Sequence, residues 1–337
     1  MIRYVIRRVL WAFVLFFAVT VITWVIFFVI PVDPAKLAAG KNARPVDVQR
    51  TKHFLGLDRP PYIQYLKFIG RLSPIDFGHF PSVPSFKTPS LGRSFANRQD
   101  VNSIVANAAP VTASLVFGGA FFWMLLAIPI GVLSALRPRS LLDRAAMVFV
   151  LIGISAHPVW IGLILSYFFA FKLGWFPAGG GYCDVFSPPP GAQCGGIVDW
   201  AHAMFLPWMT FMLLFAALYV RMIRANVMET MNEDYVRTAR AKGAPESRVL
   251  AAHVLRNALL PIVTMLGMDL ALALGGAVFT ETVFGLVGLG HLLVISLNDF
   301  DLPTTQGIVI FGTLSIIVLN LVVDLLYAWI DPRIRLA

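Results

Sequence analysis

The chain has 337 residues, 58% of them hydrophobic and only 13% charged. A soluble domain carries roughly 25% charged residues to cover its surface, so much of this surface faces something other than water, and lipid is the simplest candidate. The net charge of +9 would suit nucleic acid or an anionic membrane, but the basic residues flank apolar runs, as topology signals do, rather than lining a groove.

The first apolar run, about Leu10 to Ile30, follows Arg3, Arg7 and Arg8. It is long enough to cross a bilayer, which takes about 20 residues. A cleaved signal peptide would have a shorter run and a small-residue cleavage site. Residues 1–30 are therefore read as a cytoplasmic N-terminus and a retained first helix. Residues 31–106 form a long polar segment, expected outside. It contains an amphipathic patch, Tyr62 to Leu72, whose Tyr65, Leu66, Phe68 and Ile69 suit a membrane surface or the helix bundle. Pro81 to Ser90 reads as an irregular insertion.

Five further runs follow, at about Ala109–Leu136, Ala145–Phe171, Met204–Val220, Leu259–Phe284 and Gly307–Ile330. The expected fold is an all-α membrane protein with six transmembrane helices. Its core would span residues 107–331, with a cytoplasmic loop at 227–258 and a tail at 332–337. The second-to-third connection holds Arg137, Arg139 and Arg144. The fourth-to-fifth holds Arg221, Arg224, Arg237, Arg240, Lys242, Arg248 and Arg256, while the opposite short loops hold only Lys172. Basic residues mark the cytoplasmic side, so both termini are expected inside and the other loops outside. Long loops cross regardless of charge, so the charges in 31–106 do not conflict with this.

The two cysteines, Cys183 and Cys194, lie in one polar outer loop without metal-ligand spacing. A loop disulfide and two free thiols both fit. A carrier that holds both halves of its pathway in one chain would be expected to show an internal repeat, and none is evident, which points to another subunit for the second half. The six histidines are scattered, which disfavours a membrane enzyme with a catalytic cluster.

The most informative segment is Asn232-Glu-Asp-Tyr-Val-Arg-Thr-Ala-Arg-Ala-Lys-Gly243. Glu233 and Asp234 begin a helix, Arg240 and Lys242 end it, and Gly243 suits its C-cap. Ala239 and Gly243 are small and four apart, leaving one face open to a partner. An ordinary basic loop is the plainer reading.

This loop resembles the "EAA" loop of ABC importer permeases, in the DYVRTARAKG form of the dipeptide and oligopeptide (peptide/nickel) branch. The general Glu-Ala-Ala and Gly positions are Arg237-Thr238-Ala239 and Gly243 here. The general pattern's proline would fall at Arg256, whereas this chain's Leu-Pro comes later, at Leu260-Pro261, departures that match the peptide/nickel branch. The resemblance extends to the opening Arg3–Arg8, to Gly56–Pro60, to Leu91-Gly92-Arg93-Ser94 and to Ala109–Leu115. It continues through Glu281–Gly290 and Asp301-Leu302-Pro303. One departure is that Asp76-Phe77-Gly78 and Arg93-Ser94, joined directly in the family, are separated by the Pro-rich stretch.

The resemblance implies a type I importer permease, the first of two, in the cytoplasmic (inner) membrane of a bacterium or archaeon. Residues Glu233, Asp234, Tyr235, Val236, Arg237, Thr238, Ala239, Arg240, Ala241, Lys242 and Gly243 would form a coupling helix that docks on a separate ATPase. The implied partners are a second homologous permease, two ATP-binding subunits or one fused ATPase, an external substrate-binding protein and the lipid bilayer, with no nucleic acid. The chain would hold no cofactor, with ATP-Mg bound by the ATPases. In keeping with that, no GxxxxGK[ST] occurs, and Gly40-Lys41 is followed by Asn42. A di- or oligopeptide is the implied cargo, with nickel or another small solute as the alternative.

Within the membrane, Asp269 is a costly ionisable group. It could attract a cationic solute or make an interhelical hydrogen bond. Glu281 stands at the outer end of the fifth run as a candidate gate residue. Pro158 is expected to kink the third run beside the pathway, and His157 is assigned no chemistry. Asp324 lies near the inner end of the sixth run, and Gly275-Gly276 suits tight helix packing.

Overall fold

The computed structural model describes residues 2–26, 34–39, 43–55, 58–73, 75–76, 85–86, 88–179, 182, 196–275 and 277–330. In chain order the helices begin with α1 (Ile2–Trp24), α2 (Pro34–Ala39), α3 (Pro45–Leu55) and α4 (Pro61–Leu72). Two-residue strands β1 (Ile75–Asp76) and β2 (Ser85–Phe86) then pair antiparallel. After them come α5 (Val101–Leu136), α6 (Leu141–Ser155) and α7 (Pro158–Leu165), which runs on as a π-helical turn over Ser166–Lys172. The second half holds α8 (Ile197–Met231), α9 (Asp234–Ala241), α10 (Glu246–Arg248), a π-helical turn over Val249–Leu255, and α11 (Arg256–Ala258). It ends with α12 (Leu260–Leu274), α13 (Val278–Val283), α14 (Leu289–Asn298) and α15 (Leu302–Ile330).

Among the described residues, four helices are long and apolar enough to cross a membrane, or up to six if each of two bent pairs counts as one span. One bent pair joins residues 141–155 to 158–172 at 106°, where sequence reading expected only a kink. The physical reason lies in three residues. Ala156 and His157 both take extended backbone, as a residue before proline prefers, so the helix stops before Pro158. Pro158 then opens α7 at its first position, where the missing N–H costs nothing. The His157 side chain accepts a hydrogen bond from the Val159 N–H at 3.3 Å, so its role is a cap.

The helices overrun the apolar runs. α8 extends from Ile197 to Met231 rather than from 204 to 220, because a helix continues into water after its hydropathy has dropped. α5 and α8 form the central pair. Gly118 lets them meet: a Cβ there would lie 2.2 Å from Trp208 Nε1, whose N–H donates to the Ser114 carbonyl at 2.8 Å. Small residues do the same work elsewhere in the bundle, as membrane packing favours. Gly153 seats α6 on Ala217, and Gly275 meets Gly312 where α12 packs on α15.

The amphipathic patch becomes α4, and it packs on the bundle. Phe68 is buried in a cluster with Trp24 and Ile310, with Tyr65 and Ile69 packed against it. Tyr65 Oη and Thr20 Oγ1 lie 3.0 Å apart. Leu66, expected among these contacts, is instead exposed, since a helix buries one stripe only. Half of the Pro-rich insertion, residues 81–84 and 87, together with Cys183, Cys194 and Gly276, lies outside the described residues.

Candidate functional site

Contacts sort the loops into two ends. The turn after α5 and the end of α8 meet at one end through Arg224 and Asp143. The start of α5 meets α14 and the 88–100 segment at the other.

At the first end, α8 continues to Met231, and α9 follows after Asn232 and Glu233. α9 ends as its sequence suggests. Gly243 has φ +78, its N–H donates to the Arg240 carbonyl at 2.9 Å, and the Ala244 N–H donates to the Ala239 carbonyl at 3.3 Å. That double bond pattern is a Schellman cap, which fixes the chain direction after the helix. Val236 and Ala239 are buried in the chain's own core cluster. The sequence reading that Ala239 opens a face toward a partner is therefore corrected: its methyl is spent on internal packing. Glu233, Asp234, Tyr235, Arg237, Thr238, Ala241, Lys242 and Gly243 are exposed, and Arg240 is half-buried. Asn257 Nδ2 donates to Tyr235 Oη at 2.9 Å, and Arg240 Nε reaches Glu246 Oε1 at 2.7 Å. These bonds brace α9 against the stretch leading into α12.

Asp143, which sequence reading passed over, is the hub of this end. Arg224 grips both its oxygens, at 2.7 and 3.0 Å. Ser134 Oγ also donates to it, and the Arg139 N–H does so at 2.8 Å. Its own N–H donates to Ser140 Oγ, a helix N-cap. The Ser140-x-x-Asp143 spacing was a readable capping signal. Around the hub, Arg137, Arg139, Arg144, Arg221, Arg248 and Arg256 stay exposed.

At the other end, Glu281 is fully buried. It accepts from Thr112 Oγ1 at 2.7 Å and from the His291 N–H at 2.9 Å, while Thr112 Oγ1 accepts from the Leu289 N–H at 2.8 Å. The carboxylate thus sits on the N-terminus of α14, where free N–H groups and the helix dipole favour negative charge. Asp301 does a parallel job. It accepts from Ser94 Oγ at 2.5 Å, from the Phe95 N–H at 2.8 Å and from Thr304 Oγ1 at 2.6 Å. Four segments noted singly in the sequence therefore meet in pairs, 109–115 with 281–290 and 91–94 with 301–303.

Asp269 is half-buried and accepts from Tyr219 Oη at 2.6 Å, joining α12 to α8. The interhelical hydrogen bond considered for it is present. Asp269, Glu281 and Pro158 stand on three different helices and share no hydrogen bond among the described residues. Asp324 lies in α15, and its side chain is outside the described set.

A helical bundle with membrane-length helices, broken spans and a short braced helix at its basic end is the architecture of a multi-pass membrane protein. Residues 127–336 match the family described as "Binding-protein-dependent transport system inner membrane component", and residues 1–116 match its N-terminal counterpart. The chain belongs to this family.

Among similar proteins is the "Oligopeptide transport system permease protein AppB" of Bacillus subtilis, 34% identical over 99% of this chain and 100% of that one. The "Probable D,D-dipeptide transport system permease protein DdpB" of Escherichia coli is 34% identical over 98% of this chain and 97% of that one. The "Di/tripeptide transport system permease protein DppB" of Pseudomonas aeruginosa is 35% identical over 99% of both. One chain of a solved structure of the MetNI methionine ABC transporter, inward facing, aligns with TM-score 0.52 at 15% identity. It covers 68% of this chain and 97% of that one, a likeness of fold.

Proposed function

We propose that this chain is a permease subunit of an ATP-driven importer for di- or oligopeptides. The observation that carries the proposal is α9: a short, capped, exposed helix at the basic end of a chain that aligns along nearly its whole length with peptide permeases. The six-span reading counts α1, α5, α8 and α15 with the two bent pairs. The basic end is cytoplasmic, with both termini inside and residues 31–106 outside.

α9, within the cytoplasmic loop 227–258, docks on a separate ATPase, so this chain hydrolyses no ATP itself. A second permease completes the pathway across the 107–331 core, two ATP-binding subunits drive it, and an external binding protein delivers the cargo. The similarity of full-length relatives named for peptides supports peptide over nickel. The N-terminal unit 1–30, the outer segment and the tail 332–337 complete the organisation.

Purification with co-expressed neighbours tests this reading. Two ATPase copies and a second permease are expected to copurify, and peptide uptake into vesicles is expected to need ATP. A chain that purifies alone and moves solute without ATP would overturn it.

A further inference from the structure

At the outer end, Asn97, Gln99, Asn107 and Tyr182 line a cleft of about 440 Å³, walled by apolar residues such as Val111 and Val287. That size falls within the range of small-molecule sites, roughly 300–1,000 Å³. Asn107 stands in the two turns of α5 that precede the apolar run beginning at Ala109. Ile104, Asn107, Ala108 and Val111 share one helical face toward the cleft. The site therefore opens above the apolar layer, where a solute arrives from water.

The cleft is built rather than incidental. Its rim, residues 94–100, is a fixed turn. The Ser94 N–H donates to the Gln99 carbonyl at 2.9 Å, and the Arg98 N–H donates to the Ser94 carbonyl at 3.1 Å. Arg98 holds φ +60, a strained backbone for a residue with a side chain. Asp301 ties this turn to α15 through Ser94 and Phe95. On the far wall, Tyr182 Oη lies 3.3 Å from Ser114 Oγ, which also receives the Trp200 indole N–H at 3.3 Å.

The chemistry of the lining is specific in what it omits. Among the described residues, no Lys, Arg, His, Asp or Glu contributes to it. Three carboxamides do, and each is both donor and acceptor. The peptide group has the same dual character. Charged lining would sort solutes by their side chains, whereas amides with apolar walls read the backbone that all peptides share.

We infer that this cleft is an outer subsite of the pathway that holds a short peptide by its backbone amides and ignores side-chain charge. The inference rests on the peptide-importer reading above. A docking face for the binding protein is the competing use. Stable protein interfaces bury about 1,200–2,000 Å², over surfaces flatter than a cleft of this size, which favours the small ligand.

The test uses the whole complex in vesicles, with its second permease, ATPases and binding protein, and tri-alanine, tri-lysine and tri-glutamate as probes. Asn107 and Gln99 are exposed, so substitution there is tolerated by the fold. In N107L/Q99L, tri-alanine uptake is expected to fall about tenfold, the worth of one to two hydrogen bonds. ATP hydrolysis stimulated by loaded binding protein is expected to stay within about twofold, so less peptide moves per ATP.

Asn107→Asp is expected to raise the tri-lysine to tri-glutamate uptake ratio about fivefold over wild type, because one fixed charge now faces an uncharged site. Unchanged uptake and ratio in these variants would overturn the inference alone. So would weakened binding-protein affinity with uptake restored at saturation, since that marks a docking face. A wild-type complex that carries none of the three peptides would overturn the peptide reading itself.

Discussion

The two ends of the bundle solve the problem of a buried carboxylate differently. At the basic end, Asp143 is held by a cation, Arg224, as well as by Ser134 and a backbone N–H. At the opposite end, Glu281 and Asp301 are held by hydroxyls and backbone N–H groups, with no cation among their hydrogen-bond partners in the described residues. Neutral donors leave a carboxylate dependent on geometry, since each must be aimed at it. A guanidinium adds a Coulomb attraction that tolerates small shifts. The contrast suits their positions: Glu281 and Asp301 hold loops in one arrangement, whereas Asp143 and Arg224, with Ser134, join three helices at the end that carries α9.

Substitutions that remove one partner at each end sharpen this contrast. The largest effect is expected for Glu281→Leu, which leaves the Thr112 hydroxyl and the His291 N–H buried without their acceptor. A loss of about 3 kcal/mol follows from the cost of such orphaned groups. It would be read as a lowered melting temperature of the purified complex, with Glu281→Gln losing less than half as much. Equal losses for both would mean that packing rather than hydrogen bonding holds Glu281 in place.

Arg224→Met is expected to cost about 2 kcal/mol, less than a fully buried pair because Arg224 is partly exposed and Asp143 keeps its other donors. If the cation's tolerance matters for movement, Arg224→Lys should keep most of the stability and still transport. A Lys variant as unstable as the Met variant would show that the bidentate geometry, not the charge, carries the site.

Gly243→Ala has a smaller expected effect, about 1 kcal/mol, from left-handed backbone alone. A Cβ there meets no atom of the described residues within 4 Å, so no clash with them contributes. Gly243→Trp should differ from Gly243→Ala in coupling between ATP hydrolysis and uptake, not in melting temperature, because the added bulk projects outward. Equal coupling in both would count against docking at this surface.

The smallest effect is expected for Tyr219→Phe, about 0.6 kcal/mol, the average worth of a polar contact between membrane helices. If the Tyr219–Asp269 bond is only a helix tie, uptake of tri-lysine and tri-alanine should change together in Asp269→Asn. A selective loss of tri-lysine would instead assign the carboxylate to the pathway.

Much of the fold was legible because lipid imposes a simple code. Apolar length marked the helices, and basic residues at Arg137–Arg144 and Arg221–Arg256 sorted the loops. The α9 boundaries were readable too, since Asp234 and Gly243 are local signals that act through the backbone itself. What stayed hidden needed distance. Nothing near Glu281 in sequence names Thr112, 169 residues away. The full break at His157 was underread as a kink because proline alone does not say how far a helix will turn.

The sequence by itself determined that this chain lies in a membrane, which end is basic, and where a short capped helix interrupts the spans. These follow from composition, periodicity and local backbone preferences, each of which is a property of neighbouring residues. Only the tertiary structure decided that Val236 and Ala239 face inward, that Asp143 gathers Arg224 and Ser134, and that three carboxamides share one cleft. Those outcomes depend on which helix faces come together, and facing is settled by the packing of the whole bundle.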